Sequence, residues 1–361
     1  MWPGNEIQQL LGIELPILLA PMAGPGTAEL AIAVSEAGGL GGLPCAMLSP
    51  EQIKAQTLVF RQRTDKPINL NFFCHKPPVP SPERDVAWKK RLATYYQELG
   101  IAPDAPSNAP NRTPFGEEHC ELVEELRPEV VSFHFGLPDE KLLLRVKTAG
   151  AKILSSATTV AEARWLADRG VDAIIAQGAE AGGHRGMFLT DDISAQPGTM
   201  ALVPQIADAV RVPVIASGGI SDARGIVAAF VLGASAVQIG TAYLFCPEAK
   251  VPPPHARALR GATDDSTVLT NVMTGRPARG IVNRVMREVG PITSYAPEFP
   301  QAATALAPLR AKSEANGLGD FSPLWAGQAV ALGREMPAGQ LTKLLAEEAD
   351  TLVRALDGIS K

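Results

Sequence analysis

One histidine of this sequence stands where its side chain could transfer a proton. His184 lies within QGAEAGGHRG, residues 177–186, between a pair of glycines and Arg185. Because glycine has no Cβ, such a loop lets a ligand approach closely. A neutral imidazole can remove a proton from an activated carbon, and a charged one can hold an anion. We therefore predict that His184 is catalytic, whereas Arg185 either helps to bind the anion or pairs with Glu180.

Two glycine-bearing segments downstream predict a phosphate site. The segment SGGI follows one apolar run and precedes a predicted helix, and QIGT ends the next apolar run. Backbone N–H groups in such turns and at helix N-termini stabilise anions. The alternative is that these glycines only make tight turns. The residues that supply the predicted site are Ser217, Gly218, Gly219, Gly240 and Thr241.

A flat ring attached to that phosphate would also find suitable neighbours. Ala20, Pro21 and Met22 offer a rigid apolar surface. Asn71 and Gln177 carry amides that can both donate and accept hydrogen bonds. All of these residues stand at the end of an apolar run, although the motif NLN leaves Asn69 as an alternative to Asn71.

The elements that must position these residues alternate along the chain. Eight short apolar runs suit strands that are buried on both faces, as in a parallel sheet. Amphipathic segments lie between them, and the whole matches the size of a TIM-type parallel β/α barrel, with an open doubly wound sheet as the main alternative. The predicted strands are residues 17–20, 39–43, 68–73, 130–133, 152–155, 172–176, 214–216 and 236–239. The predicted helices are residues 27–37, 50–62, 139–149, 159–169, 200–210 and 222–232.

Two regions interrupt this alternation. A proline-rich insertion at about residues 75–118, with one helix at 84–99, follows the third strand, and it is either a lid over the site or a surface loop without a role. Residues 246–361 lack apolar strand runs. We predict that residues 1–245 form the barrel and that 246–361 form a smaller, mostly helical region whose last helix packs back on the barrel. The helices predicted in that region are 252–260, 271–272, 284–288, 300–313, 325–332 and 338–356.

Composition excludes several classes of function. The net charge of −5 argues against a nucleic-acid surface. The four cysteines form no CxxC pair and the five histidines form no cluster, so we expect no metal site. No stretch is long and apolar enough for a membrane span, and no signal peptide is visible, which predicts a cytoplasmic protein.

The motifs LAPMAG, NLNFF, GAEAGGHRG, ASGGI and QIGTAYLFCPEA, with the later TGRPARGIVN, resemble those of the nitronate monooxygenases. The resemblance implies a non-covalently bound FMN and oxidation of alkyl nitronates, such as propionate 3-nitronate, by O2 to a carbonyl compound and nitrite. It implies that His184 is the catalytic histidine. We expect a monomer or a homodimer. The FMN-binding residues that the resemblance implies are Met22, Asn71, Gln177, Gly182, Gly219, Gln238, Ile239, Gly240 and Thr241. We also expect cofactor contacts from their neighbours Ala20, Pro21, Gly183, Ser217 and Gly218.

Two other functions remain open at this stage. An FMN-dependent NAD(P)H enoyl reductase would share the fold and the flavin site. A flavin-free barrel that binds a phosphorylated metabolite would share the phosphate site alone.

Overall fold

A closed barrel of eight parallel strands forms the centre of the protein. The computed structural model describes residues 2, 4–109 and 112–359. The barrel strands are β1 (Ile17–Leu19), β2 (Gly41–Pro44), β3 (Ile68–Phe73), β4 (Val130–His134), β5 (Lys152–Ala157), β6 (Ala173–Gln177), β7 (Val214–Ser217) and β8 (Ala236–Ile239). From β2 onward each strand pairs with the next, β8 pairs with β1, and a bridge between Leu18 and Leu40 closes the ring. The barrel prediction is confirmed, the open sheet is eliminated, and every predicted strand end lies within two residues of the observed one.

Alternating side chains divide the barrel core into an inner and an outer part. Val130 and Ala173, the first residues of β4 and β6, lie in one apolar cluster with Ile7 of the first helix. Their neighbours Val131 and Ile174 lie in the larger cluster that the strands share with the surrounding helices. Consecutive residues of a strand point to opposite faces, so each strand needs apolar residues throughout. The first helix covers the N-terminal end of the barrel and leaves the C-terminal end for ligands.

Several helices begin at a residue whose side chain accepts a hydrogen bond from a free N–H group of the first turn. Ser49 and Gln52, for example, form a capping box at the start of the third helix. The six helices predicted between strands begin and end within one residue of those observed. The observed α-helices are Glu6–Leu11, Ala28–Glu36, Pro50–Arg63, Pro82–Glu98, Glu117–Leu126, Glu140–Thr148, Val160–Asp168, Thr199–Ala209, Ala223–Val231, Pro253–Arg260, Arg284–Val289, Ala302–Ala315 and Ala338–Ile359.

The region after residue 245 differs from the prediction, because it contains strands. Thr267–Thr270 and Ala278–Ile281 form an antiparallel pair, and the second of them also pairs with Gly183–His184. The expectation that this region lacks strands was therefore wrong. Their sequences, TVLT and ARGI, contain polar or charged residues and glycine, so they lack the continuous apolar run that identified the barrel strands.

Two of the helices predicted in that region were also wrong. Residues 271–272 form a turn directly after a strand, and within residues 325–332 only Val330–Leu332 is helical, as a single 3-10 turn. Trp325 instead forms an isolated bridge with Gly280. Short apolar pairs that are buried by tertiary contacts were misread as helical faces.

The proline-rich insertion packs against the C-terminal region to form what we call the outer lobe, made of the helices Pro82–Glu98, Arg284–Val289 and Ala302–Ala315. Trp88 Nε1 donates to the carbonyl of Ala302 at 3.0 Å, and the Tyr96 hydroxyl donates to that of Ala305 at 2.6 Å. The insertion helix is therefore a packed element, not a bare surface loop. The last helix, Ala338–Ile359, packs instead on the barrel helices Ala28–Glu36 and Ala223–Val231.

Candidate active site

A cavity of about 320 Å³ opens at the C-terminal ends of the barrel strands. That volume lies in the range of cavities that hold small molecules. The cavity has an inner wall, formed by the loops that follow the barrel strands, and an outer wall, formed by residues that come from outside the barrel. Fourteen predicted site residues lie on the inner wall: Ala20, Pro21, Met22, Asn71, Gln177, Gly182, Gly183, His184, Ser217, Gly218, Gly219, Gln238, Gly240 and Thr241.

Ile239 is the predicted site residue that the cavity does not include. It is fully buried among the residues that join β8 to the surrounding helices. Its neighbours Gln238 and Gly240 line the cavity, so Ile239 points to the opposite face of the strand. Depth along the strand distinguishes the two candidate asparagines. Asn71 lines the cavity near the end of β3, whereas Asn69 lies two residues deeper on the same face and does not.

The turn after β7 offers free backbone donors to the cavity. Gly218 and Gly219 have φ angles of 119° and 71°, which only glycine adopts readily. Within the described part of the chain, the N–H groups of Gly219 and Ile220 have no hydrogen-bond partner. The expectation of a free helix N-terminus needs a correction, because the side chain of Asp222 caps that helix. The turn itself, and not the helix, is available to an anion.

The polar side chains of the inner wall differ in whether their amide atoms already have hydrogen-bond partners. The Gln238 Oε1 atom is buried without a hydrogen-bond partner. Asn71 Nδ2 donates to the Ser132 hydroxyl at 2.9 Å, and no partner is found for its Oδ1 atom among the described residues. Gln177, by contrast, uses both ends of its amide to hold the glycine loop, because Oε1 accepts from Gly186 N and Nε2 donates to the His184 carbonyl. Gln238 and Asn71 therefore have capacity left for a ligand.

Arg185 holds the glycine loop from within. Its side chain is fully buried and donates to the carbonyls of Gly178, Ala181 and Gly183. Burial and the charge of Arg279 lower the pKa of Arg185 to about 9. Neither role considered for Arg185 is observed: it does not line the cavity, and it forms no ion pair with Glu180, whose carboxylate accepts hydrogen bonds from Thr199. The arginine fixes the path of the loop that carries His184.

His184 is held at its backbone and at one ring nitrogen. Its carbonyl accepts from Gln177 Nε2 at 2.9 Å and from His134 Nε2 at 3.2 Å. Its Nε2 atom lies 2.9 Å from Thr274 Oγ1, and within the described residues its Nδ1 atom has no partner. Burial, then the positive charge of Arg112, lowers the pKa of His184 well below its ordinary value. The imidazole is therefore neutral at physiological pH, and its Nδ1 atom can accept a proton in the tautomer whose Nε2–H donates to Thr274 Oγ1.

The outer wall was not predicted from the sequence. Its charged and aromatic side chains include those of Arg112, His255, Arg310, Glu314 and Trp325. They come from the insertion, from two helices and from an irregular segment, so no local motif links them. The ring of Trp325 lies 5.5 Å from that of His184, which brings the two walls together at the candidate catalytic residue.

Neither a metal-binding cluster nor a membrane-spanning helix is present among the described residues. No group of three or more histidine, cysteine, aspartate or glutamate side chains could hold a metal ion. None of the described helices combines the length and apolar character needed to cross a membrane.

The fold is a β/α barrel, and its cavity combines free backbone N–H donors with a neutral histidine. A family model described as nitronate monooxygenase matches residues 5–348. A nitronate monooxygenase of Pseudomonas aeruginosa is 43% identical over 95% of this chain and 99% of its own, and one of Paraburkholderia phytofirmans is 40% identical over 94% and 93%. A solved structure described as a nitroalkane oxidase from Streptomyces ansochromogenes is 37% identical, covers 97% and 99% of the two chains, and superposes with a TM-score of 0.88.

The chain therefore belongs to the nitronate monooxygenase family. The resemblance predicted from its motifs is confirmed, and so is its assignment as an oxidoreductase with a TIM-type barrel.

Proposed function

We propose that the protein binds FMN without a covalent bond and uses O2 to oxidise alkyl nitronates, such as propionate 3-nitronate, to a carbonyl compound and nitrite. One observation carries this proposal. The same cavity presents free N–H groups at Gly219 and Ile220, an unpaired carbonyl oxygen on Gln238 and a neutral imidazole on His184.

These residues fit the parts of FMN. The N–H groups of the Gly218–Gly219 turn, together with the Thr241 hydroxyl, would hold the phosphate. The free amide atoms of Gln238 and Asn71 would bind the polar edge of the ring, which needs both donors and acceptors. Gly240 allows the chain after β8 to pass close to Ala20, because a Cβ there would lie 3.2 Å from the Ala20 Cβ. When bound, the flavin would supply the redox chemistry that the side chains lack.

His184 would act on the substrate carbon. A neutral imidazole with a free Nδ1 atom can take the proton from the carbon next to a nitro group and so convert a nitroalkane into its nitronate. Arg276 lies close enough to lower the pKa of this imidazole, and its positive charge would stabilise the anionic nitronate. A nitronate that enters already ionised would need no proton transfer. His184 therefore matters more for neutral nitroalkanes.

The test uses the purified protein, reconstituted with FMN where needed. We expect an oxidised-flavin absorbance spectrum that is bleached anaerobically by propionate 3-nitronate, and nitrite release when O2 is admitted. Bleaching by NADH alone would support the enoyl reductase instead. Failure to bind FMN on reconstitution would support a flavin-free barrel. The cytoplasmic location and the monomeric or homodimeric state stay predictions.

A further inference from the structure

We propose that Arg112, with Arg310 beside it, binds a carboxylate that the substrate carries at the end remote from its nitronate carbon. Both arginines line the outer wall of the cavity. The proposal rests on the proposed function and assigns the side chains that would hold the carboxylate of a substrate such as propionate 3-nitronate.

Arg112 carries a positive charge that no carboxylate of the described residues neutralises. Its Nη1 atom is buried without a hydrogen-bond partner, and within residues 4–109 and 112–359 no carboxylate pairs with it. Burial, then the positive charge of Arg310, lowers its pKa to about 10. A buried charge without a partner destabilises a protein. A ligand anion at this place would remove both the unpaired donor and the repulsion between the two guanidinium groups.

Arg310 already has a partner, which leaves the outer wall with an excess of positive charge. Its Nε atom donates to Glu314 Oε1 at 2.7 Å, and the Ser322 hydroxyl donates to the same oxygen at 2.7 Å. Glu314 is thereby committed to Arg310 and does not neutralise Arg112. His255, the neighbouring titratable residue, adds no charge, because burial lowers its pKa to about 4. Lys250 also lines the cavity but is exposed, so the unpaired buried charge of this wall is that of Arg112.

One aromatic ring separates Arg112 from His184. The Arg112 guanidinium carbon lies 5.8 Å from the centroid of the Phe299 ring, and the same ring lies 5.2 Å from that of His184. Phe299 is buried against Phe73 and Phe135, so its position is fixed. A substrate whose reactive carbon is beside His184 would therefore need only a short chain to place its carboxylate on Arg112.

The kinetic test compares two nitronates of equal chain length, propionate 3-nitronate and propyl-1-nitronate, which differ in the carboxylate. We expect Arg112→Gln to lower kcat/KM for the first about 10- to 100-fold, mainly through KM, since a hydrogen-bonded charge pair is lost. Turnover of propyl-1-nitronate should change less than about threefold, and Arg112→Lys should restore part of the difference. Arg91→Gln, on an exposed face of the insertion helix, is the matched control and should change neither substrate.

A binding measurement separates this proposal from the function on which it rests. Butyrate and butyramide differ only in charge at the polar end, and Trp325 on the same wall reports binding by its fluorescence. We expect the wild type to prefer butyrate and Arg112→Gln to lose that preference, even if no nitronate is oxidised. Equal losses with both nitronates would mean that Arg112 binds the nitronate group itself. That result, or equal binding of butyrate and butyramide by the wild type, would overturn the proposal.

Discussion

The two walls of the cavity are built in opposite ways. The inner wall consists of loops that follow successive strands of one barrel, and its free groups are mostly backbone N–H donors and amide side chains. The outer wall consists of long charged and aromatic side chains, such as Arg112, Arg310 and Trp325, from segments that lie far apart in the sequence. The inner wall therefore offers fixed donors that suit a cofactor, whereas the outer wall offers side chains that can select a substrate.

His184 stands where the walls meet, because its short strand belongs to the glycine loop yet pairs with Ala278–Ile281 of the C-terminal region. The barrel alone would leave this histidine on an unsupported loop. The site therefore depends on both walls, although the candidate catalytic residue lies on the inner one. Four changes, in order of decreasing expected effect, test that dependence.

Replacing the catalytic candidate of the inner wall should have the largest effect. We expect His184→Asn to slow proton abstraction from a neutral nitroalkane by roughly 10²- to 10⁴-fold, as for loss of a general base. Oxidation of a preformed nitronate should fall much less, because no proton has to be removed. Stopped-flow reduction of the flavin by each substrate measures both. Rates near those of the wild type with the nitroalkane would remove His184 from the reaction.

Acid should destabilise both walls, because the structure buries neutral histidines on each. The folded pKa is about 3 for His134 and about 4 for His75 and His255, in each case chiefly because of burial. An unfolded histidine titrates near 6.5, so between these values the unfolded state binds more protons. The free energy of unfolding should therefore be constant just above pH 6.5 and fall as the pH decreases towards 4, by roughly 1.4 kcal/mol per pH unit for each such histidine.

Urea unfolding at a series of pH values measures this slope. His255→Gln should make the free energy of unfolding depend less steeply on pH, because the variant lacks one of the histidines that take up a proton on unfolding. A stability that stays constant between pH 6.5 and pH 5 would show that these histidines are protonated in the folded protein.

A steric clash between the two walls should lower the free energy of unfolding by a smaller amount. A Cβ on Gly182 would lie 2.7 Å from the Ala326 carbonyl carbon and 2.7 Å from Gly327 N, so Gly182→Ala must push the outer-wall segment away. We expect a loss of about 1–3 kcal/mol in the free energy of unfolding. Gly225→Ala is the control, because its nearest contact would be an ordinary 3.4 Å inside a helix. Equal stability of the two variants in urea would mean that the walls do not pack tightly at Gly182.

The barrel could be predicted because its signals are local. An apolar run such as β3, followed by a break, indicates a buried strand whatever the rest of the chain does. A strand end in a barrel also locates the cavity, which is why Asn71, His184 and Gly219 could be placed on its wall from the sequence alone. Ile239 was included wrongly, because a motif assigned as a block ignores the alternation of faces along a strand.

The outer wall could not be predicted, for a physical reason. Arg112 follows a proline-rich segment, and Arg310 lies on a helix whose other residues pack on the insertion helix. Their importance arises only from tertiary packing, which brings them to one cavity without any shared spacing. The short strands Thr267–Thr270 and Ala278–Ile281 were missed for the same reason, since their pairing partners define them more than their own composition does.

Removing the single hydrogen bond that joins the walls at His184 should have the smallest effect. Thr274, from the C-terminal region, is almost fully buried, and its hydroxyl lies 2.9 Å from His184 Nε2. Thr274→Val keeps the shape of the side chain and removes the partner that orients the ring. We expect kcat with a neutral nitroalkane to fall about 10-fold, as one hydrogen bond of about 1.4 kcal/mol would give, with KM unchanged. Thr274→Ser should restore kcat, because it restores the hydroxyl; if serine and valine behave alike, the outer wall supports the ring by packing and not by this bond.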